Sequence, residues 1–345
     1  MKTMKLKALV MSGLLAASLL ASTPVYAADY ANPETAKVTK EIKKNEGVTT
    51  PEVTFTFTAA LTDNPAEQPA APADAPKTLP SVTISSTAAN LSGAFDLTSL
   101  TTPGLYTYDI AETMDAPAKD AEGYGWDYNT EACSYKLTVA VDNEGNKKIY
   151  LFDKDNKKVD DMDFSNKYTK KGGSEDKTTS LEISKTVSNP AYANPDDEFK
   201  VEVTFTRPEV KNDTITSYTG KVGDTVYTFE DGVATTVTLK AGEKLVFDNI
   251  EAGAKYTVKE TDMNSNYTWE KTEVVANGGT KTEIQNAGDA KNLVGEKTNT
   301  AEITNEFKDV SITGVMTTYG PFIAMVAVVI AAIGAYAVIR RKVTR

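Results

Sequence analysis

The sequence predicts an all-β protein whose working part is two tandem β-sandwich domains. Two observations carry this. Runs in which Thr, Val, Tyr and Phe alternate with other residues recur along the middle of the chain, among them VTFTF (53–57), YKLTVAV (135–141), VEVTF (201–205) and YTV (256–258). Alternation with period two marks half-buried strands, and no long 3.6-residue period competes with it. The halves also repeat one another: AKVTKEI (36–42) is answered by LEISKTV (181–187), GLYTYDIAE (104–112) by GAKYTVKE (253–260), and DFSNKY (163–168) by EITNEF (302–307). Two copies of one fold explain this most economically.

Taken in order, residues 1–27 combine a basic start (Lys2, Lys5, Lys7), an apolar stretch from Ala8 to Leu20 and small residues ahead of a cut after Ala27. That is the pattern of a secretory signal peptide, too short in its apolar part to cross a bilayer. The first domain is expected over 28–169. Within it, the Pro/Ala-rich stretch from Asn64 to Pro80 reads as a surface loop, because proline cannot donate to a central ladder. Residues 170–179, with Lys170-Lys171-Gly172-Gly173-Ser174, have linker composition, and the second domain follows over 180–309. The tail, 310–345, holds an uncharged apolar run from Phe322 to Ile339, long enough to span a membrane, closed by the basic Arg340, Arg341, Lys342 and Arg345.

Composition narrows the function classes. The chain carries a net charge of −11 although its two ends hold only positive side chains, so the part between them is strongly acidic and nucleic acid is not an expected partner. Cys133 is the single cysteine, which excludes an intramolecular disulfide in an exported protein. There is no histidine, which removes the usual general base and the commonest metal ligand. The acidic run from Asp153 to Asp161 lacks the spacing of a calcium loop. Neither a metal nor a cofactor is expected, nor an enzyme with a turnover substrate.

One constellation remains. Side chains two apart on a strand share a face. On that parity Lys40 sits with Val38 and Ile42, Glu112 with Tyr108 and Ile110, and Asn166 with Phe164 and Tyr168; Lys185, Glu260 and Asn305 repeat the arrangement in the same order. Six polar residues thus occupy faces that their apolar neighbours turn inward. Burial disfavours charge, so a core lysine becomes a neutral amine able to attack. A core glutamic acid can polarise an asparagine carbonyl and shuttle protons as ammonia leaves. Lys40 with Asn166, and Lys185 with Asn305, are therefore the expected isopeptide crosslinks, with Glu112 and Glu260 as catalytic acids acting in a single turnover.

On these residues, and on Phe55-Thr-Phe57, Tyr106-Thr-Tyr108-Asp-Ile110-Ala-Glu112 and Phe164-Ser-Asn166, the chain resembles the two-domain backbone pilins of Gram-positive bacteria, whose Ig-like sandwiches carry Lys–Asn isopeptide bonds. The pentapeptide Val310-Ser311-Ile312-Thr313-Gly314 resembles a sortase sorting signal, with Val310 and Ser311 in place of the usual Leu and Pro. The resemblance implies cleavage between Thr313 and Gly314, with sortase, neighbouring pilin subunits and cell-wall peptidoglycan as partners. It implies a cell-surface, wall or pilus location reached through a membrane-anchored precursor. It also implies an acceptor lysine shortly before the first asparagine, where Lys158 is the choice among Lys154, Lys157 and Lys158. By analogy with disulfide closure, a ring of about 100 residues is worth up to about 4.7 kcal/mol. The alternative is a monomeric anchored adhesin, its host ligand unknown, contacted by the Pro/Ala-rich loop or by exposed aromatics such as Trp126.

Overall fold

A computed structural model describes residues 32–62, 70–128, 134–262, 264–284 and 290–308, together with Met325. The expected signal peptide, residues 64–69 of the Pro/Ala-rich stretch, Cys133, the Thr313–Gly314 site and, apart from Met325, the apolar run 322–339 lie outside these residues. Among the described residues no helix is long and apolar enough to cross a membrane.

The chain divides into two compact units at Ser174/Glu175, inside the predicted linker. The first contains β1 (Thr35–Lys43), β2 (Thr54–Leu61), β3 (Thr78–Ser85), β4 (Ser92–Asp96), β5 (Gly104–Asp115), β6 (Gly125–Asp127), β7 (Ser134–Val141), β8 (Lys147–Asp153), β9 (Lys158–Val159) and β10 (Met162–Thr169). They form a four-stranded sheet, β4-β1-β10-β6, and a six-stranded sheet, β3-β2-β5-β7-β8-β9. One core joins the inner faces: Val38, Phe95, Met162 and Phe164 from the first sheet meet Phe55, Phe57, Tyr108 and Leu137 from the second. The alternation predicted from sequence is seen along β1, where Ala36, Val38 and Lys40 are buried and their odd-numbered neighbours are not.

The second unit contains β11 (Leu181–Ser188), a 3₁₀ turn at Pro190–Tyr192, then β12 (Glu198–Thr206), β13 (Tyr218–Val222), β14 (Thr225–Phe229), β15 (Thr235–Lys240), β16 (Lys244–Phe247), β17 (Lys255–Asp262), β18 (Tyr267–Val275), β19 (Thr282–Ile284), β20 (Ala290–Leu293) and β21 (Thr300–Phe307). Its sheets are β14-β13-β16-β11-β21-β18-β19 and β15-β12-β17-β20. In β11, Leu181, Ile183, Lys185 and Val187 are all buried, in strict alternation.

First and last strands of each unit are parallel neighbours in otherwise antiparallel sheets. β1 pairs with β10 so that Lys40 lies opposite Phe164 and Ile42 opposite Asn166. β11 pairs with β21 so that Lys185 lies opposite Ile303 and Val187 opposite Asn305. The offset between lysine and asparagine is the same in both.

Three expectations change. Thr78 to Pro80, the end of the Pro/Ala-rich stretch, lies in β3 rather than in a loop; β3 is an edge strand, where a missing N–H costs no ladder bond. Trp126 is buried, 4% exposed, because β6 sets it opposite Tyr168 on the inner face, so it cannot serve as an exposed ligand contact. The first unit also includes residues 207–216 and 251–254 from the second half of the sequence. The side-chain amide of Asn45 fixes both segments: its Nδ2 donates to the carbonyls of Val210 (2.8 Å) and Ala252 (3.1 Å), and its Oδ1 accepts from Val210 N at 2.9 Å.

Candidate functional site

Lys40 comes from β1 and Asn166 from β10 in one sheet, while Glu112 comes from β5 in the facing sheet. Strand parity aims all three into the core, and they meet there. Lys40 Nζ lies 2.8 Å from Glu112 Oε1 and 3.1 Å from Oε2. Asn166 Nδ2 donates to the same Oε1 at 2.9 Å. The lysine and glutamate side chains have no solvent exposure, and Asn166 is 1% exposed. One carboxyl thus holds the amine and the amide side by side, away from water.

The second unit repeats this with looser closure. Lys185 Nζ is 3.5 Å from Glu260 Oε2, and Asn305 Nδ2 donates to Glu260 Oε1 at 2.8 Å. Lys185 and Asn305 are wholly buried, whereas the Glu260 side chain retains 5% exposure. Burial drives the Lys185 pKa down from the ordinary lysine value to about 8, against the opposing pull of Glu260. The low-dielectric surroundings disfavour the ammonium more than the carboxyl favours it.

Asn166 Oδ1 and Asn305 Oδ1 are each buried without a hydrogen-bond partner. Leaving a buried acceptor unmade costs about 1–3 kcal/mol, and here the same atom bears that cost in both units. A half-turn of either amide would set Oδ1 against the carboxyl, where a protonated glutamic acid donates to it and draws electrons from the carbonyl carbon. The arrangement can therefore present an amine, an acid and an activated amide carbonyl together.

All six residues predicted from sequence assemble into these two sites. Lys158 is exposed, on β9 at the edge of its sheet and opposite Phe152, beside an open groove lined by Thr35, Ala36, Ile149, Leu151 and Val159. Lys154 and Lys157 are exposed in the turn before it. Among the described residues no group of three His, Cys, Asp or Glu side chains could hold a metal ion.

Sequence reading missed the rings beside the lysines. Lys40 Nζ stands 4.6 Å from the centroid of Phe55, and Lys185 Nζ stands 4.5 Å from that of Phe199. Their placement follows from the ladder: each lies two residues before the cross-strand partner of its glutamate, Phe57 for Glu112 and Val201 for Glu260.

Fold and sites define a double β-sandwich protein with a buried Lys–Glu–Asn triad in each half. Residues 36–169 match the family described as Spy0128-like isopeptide containing domain, and residues 179–307 match the family described as Domain of unknown function (DUF7601). The first of these matches makes residues 36–169 similar to isopeptide-containing domains. Among solved structures it is similar to the major pilin from Streptococcus pyogenes, with 20% identity, 81% of this chain and 100% of that chain covered, and a TM-score of 0.37. The T-13 major pilin of the same species shows 17% identity, 80% and 98% coverage and a TM-score of 0.36. A pilus-presented adhesin shows 22% identity over 53% of this chain and 39% of its own, with a TM-score of 0.30. No curated protein matches the chain.

Proposed function

We propose that the protein is a structural cell-surface subunit, a pilus shaft pilin whose two domains each close an internal Lys–Asn isopeptide bond without an external enzyme. The observation that carries this reading is the twice-built triad, in which one buried carboxyl holds an amine and an amide whose carbonyl oxygen has no other partner.

The chemistry balances within each triad. A proton moves from lysine to the carboxylate, leaving a neutral amine and a neutral acid. Nζ attacks Cγ of the asparagine while the acid hydrogen-bonds its oxygen. The Nζ–Cγ bond forms, a proton from Nζ passes through the carboxyl to Nδ2, the Cγ–Nδ2 bond breaks, and ammonia departs. Position and a dry environment supply the activation, with the carboxyl as general acid and base. Each site acts once.

Export, cleavage by sortase between Thr313 and Gly314, and transfer of the Thr313 carbonyl to Lys158 of a neighbouring subunit or to peptidoglycan complete the proposal. The exposed edge position of Lys158 supports its role as acceptor. Mass spectrometry of the full chain tests the internal bonds: the mass falls short of the sequence by two ammonia molecules, and Glu112→Ala and Glu260→Ala each restore one. A wild-type mass with no deficit refutes the crosslinking reading. For assembly, a ladder of very large species on denaturing gels of cell-wall extracts is expected; a single band near monomer size would instead fit an anchored adhesin.

A further inference from the structure

Beside each lysine of the two triads lies an aromatic ring face that the reaction just described does not use. We propose that Phe55 and Phe199 are positioning residues for crosslinking, each holding its lysine amine against the ring so that the nitrogen lone pair is left facing the asparagine. This rests on the crosslinking reading above and adds to it the residues that aim the nucleophile.

The rings are built in the same way twice. Phe55 on β2 packs edge-on against Trp126 at 5.6 Å and 84°, and Trp126 packs on Tyr168 at 5.0 Å. Phe199 on β12 packs edge-on against Tyr267 at 5.0 Å and 79°, and Tyr267 packs on Phe307 at 5.2 Å. Tyr168 and Phe307 each lie two residues after their asparagine. Trp126 and Tyr267 are the cross-strand partners of those two residues. In each unit a three-ring stack thus runs from the strand bearing the asparagine back to the ring beneath the lysine. Ring character is common to both stacks although the residue types differ, Trp for Tyr and Tyr for Phe.

The chemistry explains why a ring serves here. An aromatic face attracts an ammonium and accepts an amine N–H, but it has no donor to offer a lone pair. Before reaction it offsets part of the penalty of burying the charged lysine. After proton transfer, one N–H rests on the ring and the other on the carboxyl oxygen. The direction left to the lone pair is the one in which the Nζ–Cγ bond must form, as the Cγ–Nδ2 bond breaks and ammonia leaves. An aliphatic side chain of similar bulk would keep the site dry without aiming the amine.

The test follows bond formation in the full chain made by a cell-free synthesis pulse, digested at increasing chase times. The branched peptides joining Lys40 to Asn166 and Lys185 to Asn305 are quantified separately by mass spectrometry. Phe55→Leu is expected to slow the first bond about threefold, the scale of one lost N–H contact to a ring face, and to leave the second bond in the same molecules at its wild-type rate. Phe199→Leu is expected to do the converse. Phe55→Tyr, which keeps the ring, restores the first bond to near its wild-type rate. Phe95→Leu removes a ring of the same core from β4, where Phe95 is buried opposite Ala36, four residues along β1 from Lys40, and controls for lost packing. Slowing by Phe55→Leu no greater than by Phe95→Leu overturns the proposal. If a leucine variant fails to fold, Tyr is compared with Met at that position, and equal rates overturn it. A wild-type chain yielding neither branched peptide instead refutes the crosslinking reading itself.

Discussion

Lys185 is a lysine held in the wrong solvent for its charge. With its pKa brought down to about 8, roughly a tenth of the molecules carry a neutral amine at pH 7, far above the fraction for an ordinary lysine. The crosslinking step keeps the lysine proton within the triad, on the carboxyl that acts as the acid, so the rate of the second bond should hold below about pH 8 and fall above it as that proton is lost to solvent, which a chase at several pH values reads directly; a rate that climbs through pH 8 would remove the acid role of the carboxyl. The same shift has a stability consequence in a chain that cannot react. In Asn305→Ala, Lys185 stays free. Its folded pKa is lowered, so the unfolded state binds the extra proton between pH 8 and the ordinary lysine value of 10.5. The penalty, on the order of 3 kcal/mol, is then fully present below pH 8 and relieved as pH rises from about 8 towards 10.5. Urea midpoints of the second unit should climb across that window, against the usual alkaline loss.

At the scale of strands, what could be read from sequence was what depends on nearest neighbours along the chain. Period-two alternation is local, so the inward parity of Lys40, Lys185, Glu112, Asn166 and Asn305 was legible, as was the repeat that orders them. Sheet pairing joins residues more than 100 apart, and nothing local states that β1 lies parallel to β10 or that a ring from β2 sits under Lys40. Trp126 misled for a related reason: a large aromatic in a three-residue strand carries no periodicity of its own, and its burial comes from Tyr168 across the ladder. Composition misled at Pro80, since proline excludes a central strand but not an edge. The glycines show the same limit. Gly93 on β4 pairs with Val38 on β1, and a methyl group there would come within 2.3 Å of Val82 Cγ1 on the facing sheet. Overpacking of this kind costs about 1–3 kcal/mol. Gly93→Ala, made in the Glu112→Ala background so that no bond masks unfolding, should lower the melting temperature of the first unit and leave that of the second unchanged. Equal melting temperatures for the first unit with and without the added methyl would show that Val82 yields freely.

For the molecule as a whole, the parallel pairing of first and last strands decides where tension runs. A pull on the start of β1 and the end of β10 shears that ladder, as does a pull on β11 and β21. A bond from Lys40 to Asn166 encloses 126 positions of chain and one from Lys185 to Asn305 encloses 120. At about 3.4 Å per residue, each withholds roughly 400 Å of extension. Joining subunits through Lys158 changes the path. Load then enters eight residues before Asn166, runs down β10 to Thr169 and passes into β11 without reaching β1. In the proposed crosslinked subunit the first bond would lie off this path and guard the fold of its unit, whereas the second would lie directly on it. Force spectroscopy can separate the two roles, using Lys158→Cys and Lys308→Cys as handles with Cys133→Ala to remove the native thiol. In that geometry Glu260→Ala should release a step of roughly 400 Å, and Glu112→Ala should release none of that size. With handles at residues 33 and 308 instead, either substitution should release one. A long step from Glu112→Ala under the Lys158 handle would show that load spreads through β1 after all, and the division of labour between the two bonds would be withdrawn.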